Sequence, residues 1–110
     1  MKYQHAEMAA GRWKKFSFFE QMANIGIEVE RAISWNAKGR KDYGRRAFER
    51  ALELLDLTIC DEKNRGRLRE LLRVREAAVD YFICDNEYNS NDESWKRYFN
   101  PFLMAARKNR

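Results

Sequence analysis

The 110-residue sequence has little proline, glycine, cysteine or histidine: one, five, two and one respectively. Few turn-formers beside 45% apolar residues exclude a disordered tail. No run of about 18 uncharged apolar residues occurs, which argues against a membrane-spanning helix. Cys60 and Cys84 lack C-x-x-C spacing, and the lone His5 stands far from both. Two thiols and one imidazole cannot complete a tetrahedral zinc site, so free thiols, buried or half-buried, are expected. A di-metal bundle site needs E-x-x-H on two helices, and one histidine cannot supply it. No glycine-rich phosphate loop, nucleophile elbow or Cys/His pair is present. The chain is therefore expected to be no enzyme and to carry no cofactor. The N-terminus lacks the apolar stretch and small-residue cleavage site of a signal peptide, which leads us to expect a cytoplasmic protein. Sustained period-two alternation and hairpin dipeptides are absent as well, so strands are not expected.

What the sequence does contain is helical periodicity. Residues 1–16 have no clear period and are expected to form a flexible N-terminal arm, leaving 17–110 as one domain. Ser17 and Glu20 form an S-x-x-E capping box before the stripe Phe18, Met22, Ile25, Val29, Ala32 and Ile33. Gly39 is the natural stop. A second helix is expected from Lys41 to Cys60, with Gly44, Phe48, Ala51, Leu52, Leu55 and Ile59 on one face. After a polar turn at Asp61–Asn64, a third runs to about Cys84 on Leu68, Leu71, Leu72, Ala78, Val79 and Phe82. Ser90 and Glu93 suggest a second capping box opening a fourth, with Trp95, Tyr98, Phe99, Phe102 and Ala106 inward. Pro101 interrupts it, yet the apolar register continues, so a kink is expected there. Four amphipathic helices with short connections predict an all-α, antiparallel up-down-up-down four-helix bundle.

Arg75 falls inside the apolar stripe of the third helix. A charge there must pair or snorkel. Glu28 and Asp56 are its candidate partners in a buried ion pair; the alternative is an arginine lining a pocket or subunit interface. Glu49, Glu53 and Asp56 line the flank of the second helix. Arginines lie close to Glu49 and Glu53, so solvated ion pairs account for this flank better than acid/base chemistry.

The net charge is +5, from 22 basic and 17 acidic residues. Fourteen of the basic residues are arginine, the type suited to bidentate phosphate or carboxylate contacts. An up-down-up-down path sorts these charges by pole. One pole would gather Arg12, Lys14, Lys15, Lys63, Arg65, Arg67, Arg69, Arg107, Lys108 and Arg110, offset by Asp61 and Glu62. Arg65, Arg67 and Arg69 sit at a helix start, where cations oppose the macrodipole. Either Asp61, Glu62 and Glu70 pair with them, or they face phosphate. Trp13 and Phe16, among Arg12, Lys14 and Lys15, either stack bases or pin the arm to the bundle.

The strings F-x-x-x-E-Q-M-A-N-I-G-I-E-V-x-R-A from Phe16, A-F-E-R-A-L-E-L-L-D-L-T-I from Ala47, R-G-R-L-R-E-L-L-R-V-R-E from Arg65 and N-E-Y-N-S from Asn86 resemble a family of small uncharacterised helical-bundle proteins from bacterial metagenomes. That resemblance implies one domain over nearly the whole chain after Lys15, and no activity. In size and bundle shape the chain is also similar to accessory proteins of diversity-generating retroelement reverse transcriptases, a likeness of fold level alone. The sequence thus leads us to expect a non-catalytic accessory module whose basic pole meets RNA or DNA in a nucleic-acid-processing complex, with a reverse transcriptase as one possible protein partner. The alternative is an assembly subunit that forms a homo-oligomer through the aromatic face of the fourth helix and the Arg75 region. Neither reading involves a membrane.

Overall fold

A computed structural model describes residues 11–108. His5, Arg110 and the expected arm through residue 10 lie outside the described residues. Helix α1 spans Phe18–Ala37, α2 Lys41–Ile59, α3 Leu68–Phe82 and α4 Asp92–Lys108. A 3-10 helix, Glu62–Arg67, leads into α3. Among the described residues there is no strand.

Local chemistry sets most boundaries. Ser17 caps α1: its hydroxyl accepts from the Glu20 N–H at 3.1 Å, and the Glu20 carboxylate accepts from the Ser17 N–H at 3.0 Å. Such a cap stabilises by about 1 kcal/mol. The chain leaves α1 through Gly39 at φ +78°, a left-handed conformation that costs a side-chain-bearing residue about 1 kcal/mol or more. The start of α4 differs from expectation by one residue. Asn91, not Ser90, is the cap: its Oδ1 accepts from the Ser94 N–H at 2.8 Å, and Ser94 Oγ accepts from the Asn91 N–H at 3.0 Å. Ser90 is instead held by Asn86, whose side chain bonds both its N–H and its carbonyl. Pro101 lies inside α4, which stays helical to Lys108.

The core is built around α1, which packs most extensively against α2 and α4. Met22, Ile25, Val29 and Ala32 of α1 meet Phe48, Ala51 and Leu55 of α2, Leu71 and Ala78 of α3, and Trp95 and Phe99 of α4. Burying an aromatic side chain as completely as Phe48 contributes roughly 2–3 kcal/mol. Gly26 admits α4: a Cβ at that position would come within 2.9 Å of Phe99 Cβ. The aromatic face of α4 enters the core in part: Trp95 and Phe99 are buried, while Tyr98 and Phe102 are half-buried.

Four expectations need correction. Leu68 and Leu72, expected on the apolar face of the third helix, are exposed, and Val74 is buried with Leu71 and Ala78 instead. Of the arm expected to be flexible, residues 11–13 are helical, and Trp13 is a buried core residue, the pinning role that is one of its two expected ones. The reason is its polar handle, which reaches Thr58 in the interior. Cys60 and Cys84 are free but exposed, because both lie just beyond a helix end, where the apolar stripe has run out. Arg75 is not deeply buried; it stands half-exposed on the shoulder facing α2 and donates from Nε to Asp56 at 2.7 Å. Glu28 serves other arginines, Arg31 at 2.8 Å and Arg50 at 3.0 Å.

Candidate nucleic-acid interface

The basic turn between α2 and α3 stands on a buried polar network. Asp61 caps the 3-10 helix, accepting from the Lys63 N–H at 3.3 Å. Its other oxygen accepts from Gln21 Nε2 at 2.9 Å and from Lys63 Nζ at 2.6 Å. Gln21 in turn donates to the Trp13 carbonyl and accepts from Asn64 Nδ2 at 2.8 Å. Asn64 also donates to the Thr58 carbonyl, and Trp13 Nε1 donates to Thr58 Oγ1 at 2.8 Å. Gln21, Thr58, Asp61 and Asn64 are all buried. Burial pushes the Asp61 carboxyl up, but the hydrogen bonds from Lys63 and Gln21 outweigh it and hold the pKa below the usual carboxylate range. A buried network satisfied in this way fixes a single loop geometry, since a lost partner leaves a desolvated group behind.

Above this base, Lys63, Gly66, Arg67, Arg69, Glu70 and Arg73 line a groove of about 680 Å³. Four of the six are cations. Glu70, the one acid, accepts a hydrogen bond from Tyr98 Oη at 2.7 Å. Burial, and then that bond, raises the Tyr98 hydroxyl well above its ordinary value, so the phenol stays protonated as donor. An aromatic cluster borders the groove. The Arg67 guanidinium lies 4.2 Å from the Phe18 ring centroid and 5.8 Å from that of Phe19. Phe102 packs against both rings, at 5.8 and 5.9 Å. Phe19 remains 42% exposed.

The expected basic residues are brought together in part. Lys63, Arg67 and Arg69 share the groove. Lys14 joins them through its backbone, its carbonyl accepting from Lys63 Nζ at 3.0 Å. Arg65 is exposed on the same 3-10 turn without lining the groove, and Arg12 and Lys15 are exposed on the segment that Trp13 anchors. Arg107 and Lys108 end α4, about 8 Å of helical rise beyond Phe102. Arg73 was missed, although its position one turn after Arg69 places it on the same flank. Arg75 and Asp56 form a separate pair, and Glu28 a third cluster.

The opposite end of the molecule also stacks cations on aromatic rings, and Lys41 and Arg45 line a groove of about 330 Å³ there. Arg40 and Arg46 lie over the Tyr43 ring at 4.2 and 5.5 Å, and Lys38 over Trp35 at 5.3 Å. Among the described residues no group of three or more side chains is arranged to hold a metal ion. Nor is any described helix long and apolar enough to cross a membrane. No family model, curated protein or solved structure matches this chain.

Proposed function

We propose that the protein is a non-catalytic accessory module that holds RNA or DNA through its basic pole, within a larger nucleic-acid-processing complex of which a reverse transcriptase is one fitting example. The observation that carries this reading is the groove in which Lys63, Arg67, Arg69 and Arg73 converge, bordered by the half-open Phe18, Phe19 and Phe102 cluster. Cations in a row neutralise successive phosphates and release counterions, while neighbouring aromatic faces take bases. Arg69 stands in the first turn of α3, where it opposes the helix dipole by a few tenths of a kcal/mol; an anionic ligand there is attracted by both the arginine and the dipole. The same reading includes an up-down-up-down path bent at Pro101. Support comes from the contacts between consecutive helices: Trp35 meets Tyr43 while Glu28 meets Arg50, and Phe48 meets Phe82 while Arg75 meets Asp56. Such a path puts the ends of α2 and α4 at the pole where α1 and α3 begin.

The test is binding of fluorescent single-stranded RNA at low salt. Arg69→Glu with Arg73→Glu alters two exposed side chains and leaves the network beneath intact. We expect that variant to fold normally and to lose affinity at least about tenfold. Equal binding by the variant and the parent would overturn the reading.

A further inference from the structure

The outer shoulder of α3 carries an apolar stripe that the fold uses only at Val79, which packs partly against the core. Leu68, Leu72 and Ile83 are 38%, 48% and 44% exposed, and Val79 is half-buried. Single exposed aliphatics are ordinary. These four recur at steps of four, seven and four, which places them within about 60° of arc at 100° per residue. The stripe has a further property. Leu68 and Ile83, Leu72 and Val79, and Arg75 and Glu76 are each equidistant from the peptide bond between residues 75 and 76. A second copy of α3 laid antiparallel across this face therefore meets leucine with isoleucine and leucine with valine along its whole length. That is the self-complementarity a two-fold axis requires.

The charges beside the stripe follow the same inversion. Arg65, Arg69 and Arg73 flank its first half, and Glu76, Asp85 and Glu87 flank its second. A parallel pair would set like against like. The antiparallel pair sets Arg73 of one copy beside Glu76 of the other, which offsets the approach of the two Glu76 copies at the axis, and sets Arg65 and Arg69 beside the acidic loop after α3. That loop is firmly built. Both Asp80 carboxylate oxygens accept backbone N–H bonds, from Glu87 at 2.8 Å and Tyr88 at 3.0 Å, so Asp85 and Glu87 are presented at a fixed place.

We infer that the exposed face of α3 is a homodimer seam, occupied by the same face of a second copy about a two-fold axis at residues 75–76. This surface is aliphatic and distinct from the aromatic face of α4. It shares Arg69 and Arg73 with the basic groove, but association of the free protein does not depend on strand binding. The seam is about 23 Å long by helical rise and a single stripe wide. A single stripe of that length covers less than the roughly 800 Å² per partner of a standard interface, so a weak dimer is expected.

Sedimentation of the free protein from about 1 to 200 µM, in the micromolar range such small interfaces occupy, tests the association. A monomer–dimer equilibrium is expected. Leu72→Glu should weaken it about a hundredfold or more, because the axis counts the substitution twice. Its circular dichroism should match the parent's, since the side chain is exposed. Orientation is read with Cys60→Ser and Cys84→Ser as background. Glu76→Cys, beside the axis, should give a disulfide-linked dimer on mild oxidation. Leu68→Cys should not, because its two copies lie about 22 Å apart along the seam. A monomer throughout the range, a dimer indifferent to Leu72→Glu, or equal cross-linking from both cysteines would each overturn the inference.

Discussion

At the scale of single residues, the buried side chains under the basic turn matter more than the exposed ones above it. Asp61 shows why. Its carboxylate is held by Gln21 and Lys63 with a depressed pKa, so it stabilises the folded state above the unfolded carboxyl pKa of about 3.9. As pH falls through the lower folded value, that contribution is lost. We predict that Asp61→Asn costs about 1–3 kcal/mol at pH 7, because it trades a charge-assisted acceptor for an amide in a buried site. Thermal melts as a function of pH should show parent and variant converging below about pH 4, near the reference carboxyl value; a constant gap down to pH 2 would contradict the role given to the charge. None of this network was legible in the sequence. Gln21 and Asp61 are 40 residues apart and Trp13 and Thr58 are 45, and polarity on an apolar stripe announces a partner without naming it. Trp13 shows the same gap. Its neighbours Arg12, Lys14 and Lys15 allow either base stacking or pinning to the bundle, and the indole N–H bond to Thr58 supports the pinning without the sequence naming that partner.

At the scale of elements, the sequence was most legible where structure is local. The Ser17–Glu20 capping box, the stop at Gly39 and the apolar stripes of α1 and α2 could be read directly, since each depends on residues within one or two turns. The start of α4 was misplaced by one residue because Ser90, Asn91 and Glu93 all offer capping chemistry, and the tertiary anchoring of Ser90 by Asn86 selects Asn91. Closeness between helices was less legible. Nothing in the α1 stripe names the neighbour that Gly26 admits; it is α4, at Phe99. Because the clash is with the root of the Phe99 side chain rather than its flexible end, Gly26→Ala should push α1 and α4 apart. We predict a loss of about 1–3 kcal/mol, read as a lower urea midpoint with an unchanged slope. An unaltered midpoint would mean that the two helices have room to spare.

At the scale of the whole molecule, a net charge of +5 resolves into two unlike ends. At the Trp35–Tyr43 end Lys38, Arg40 and Arg46 are stacked on aromatic rings and Lys41 and Arg45 line a smaller groove, whereas four cations, Lys63, Arg67, Arg69 and Arg73, converge on the larger groove at the other end. Arg69 and Arg73 also flank the proposed α3 seam, so strand and second copy draw on the same arginines. Saturating single-stranded RNA should therefore shift the dimer toward monomer, by the reciprocity of linked equilibria; RNA that leaves the sedimentation profile unchanged would separate the two surfaces. The most direct test of strand binding itself is its dependence on salt. The account predicts that the logarithm of the association constant for single-stranded RNA falls with the logarithm of salt concentration at a slope near −3, the value for about four phosphate contacts, and that Arg69→Glu with Arg73→Glu reduces the slope by about half. A slope near zero, or one that the double variant leaves unchanged, would contradict it.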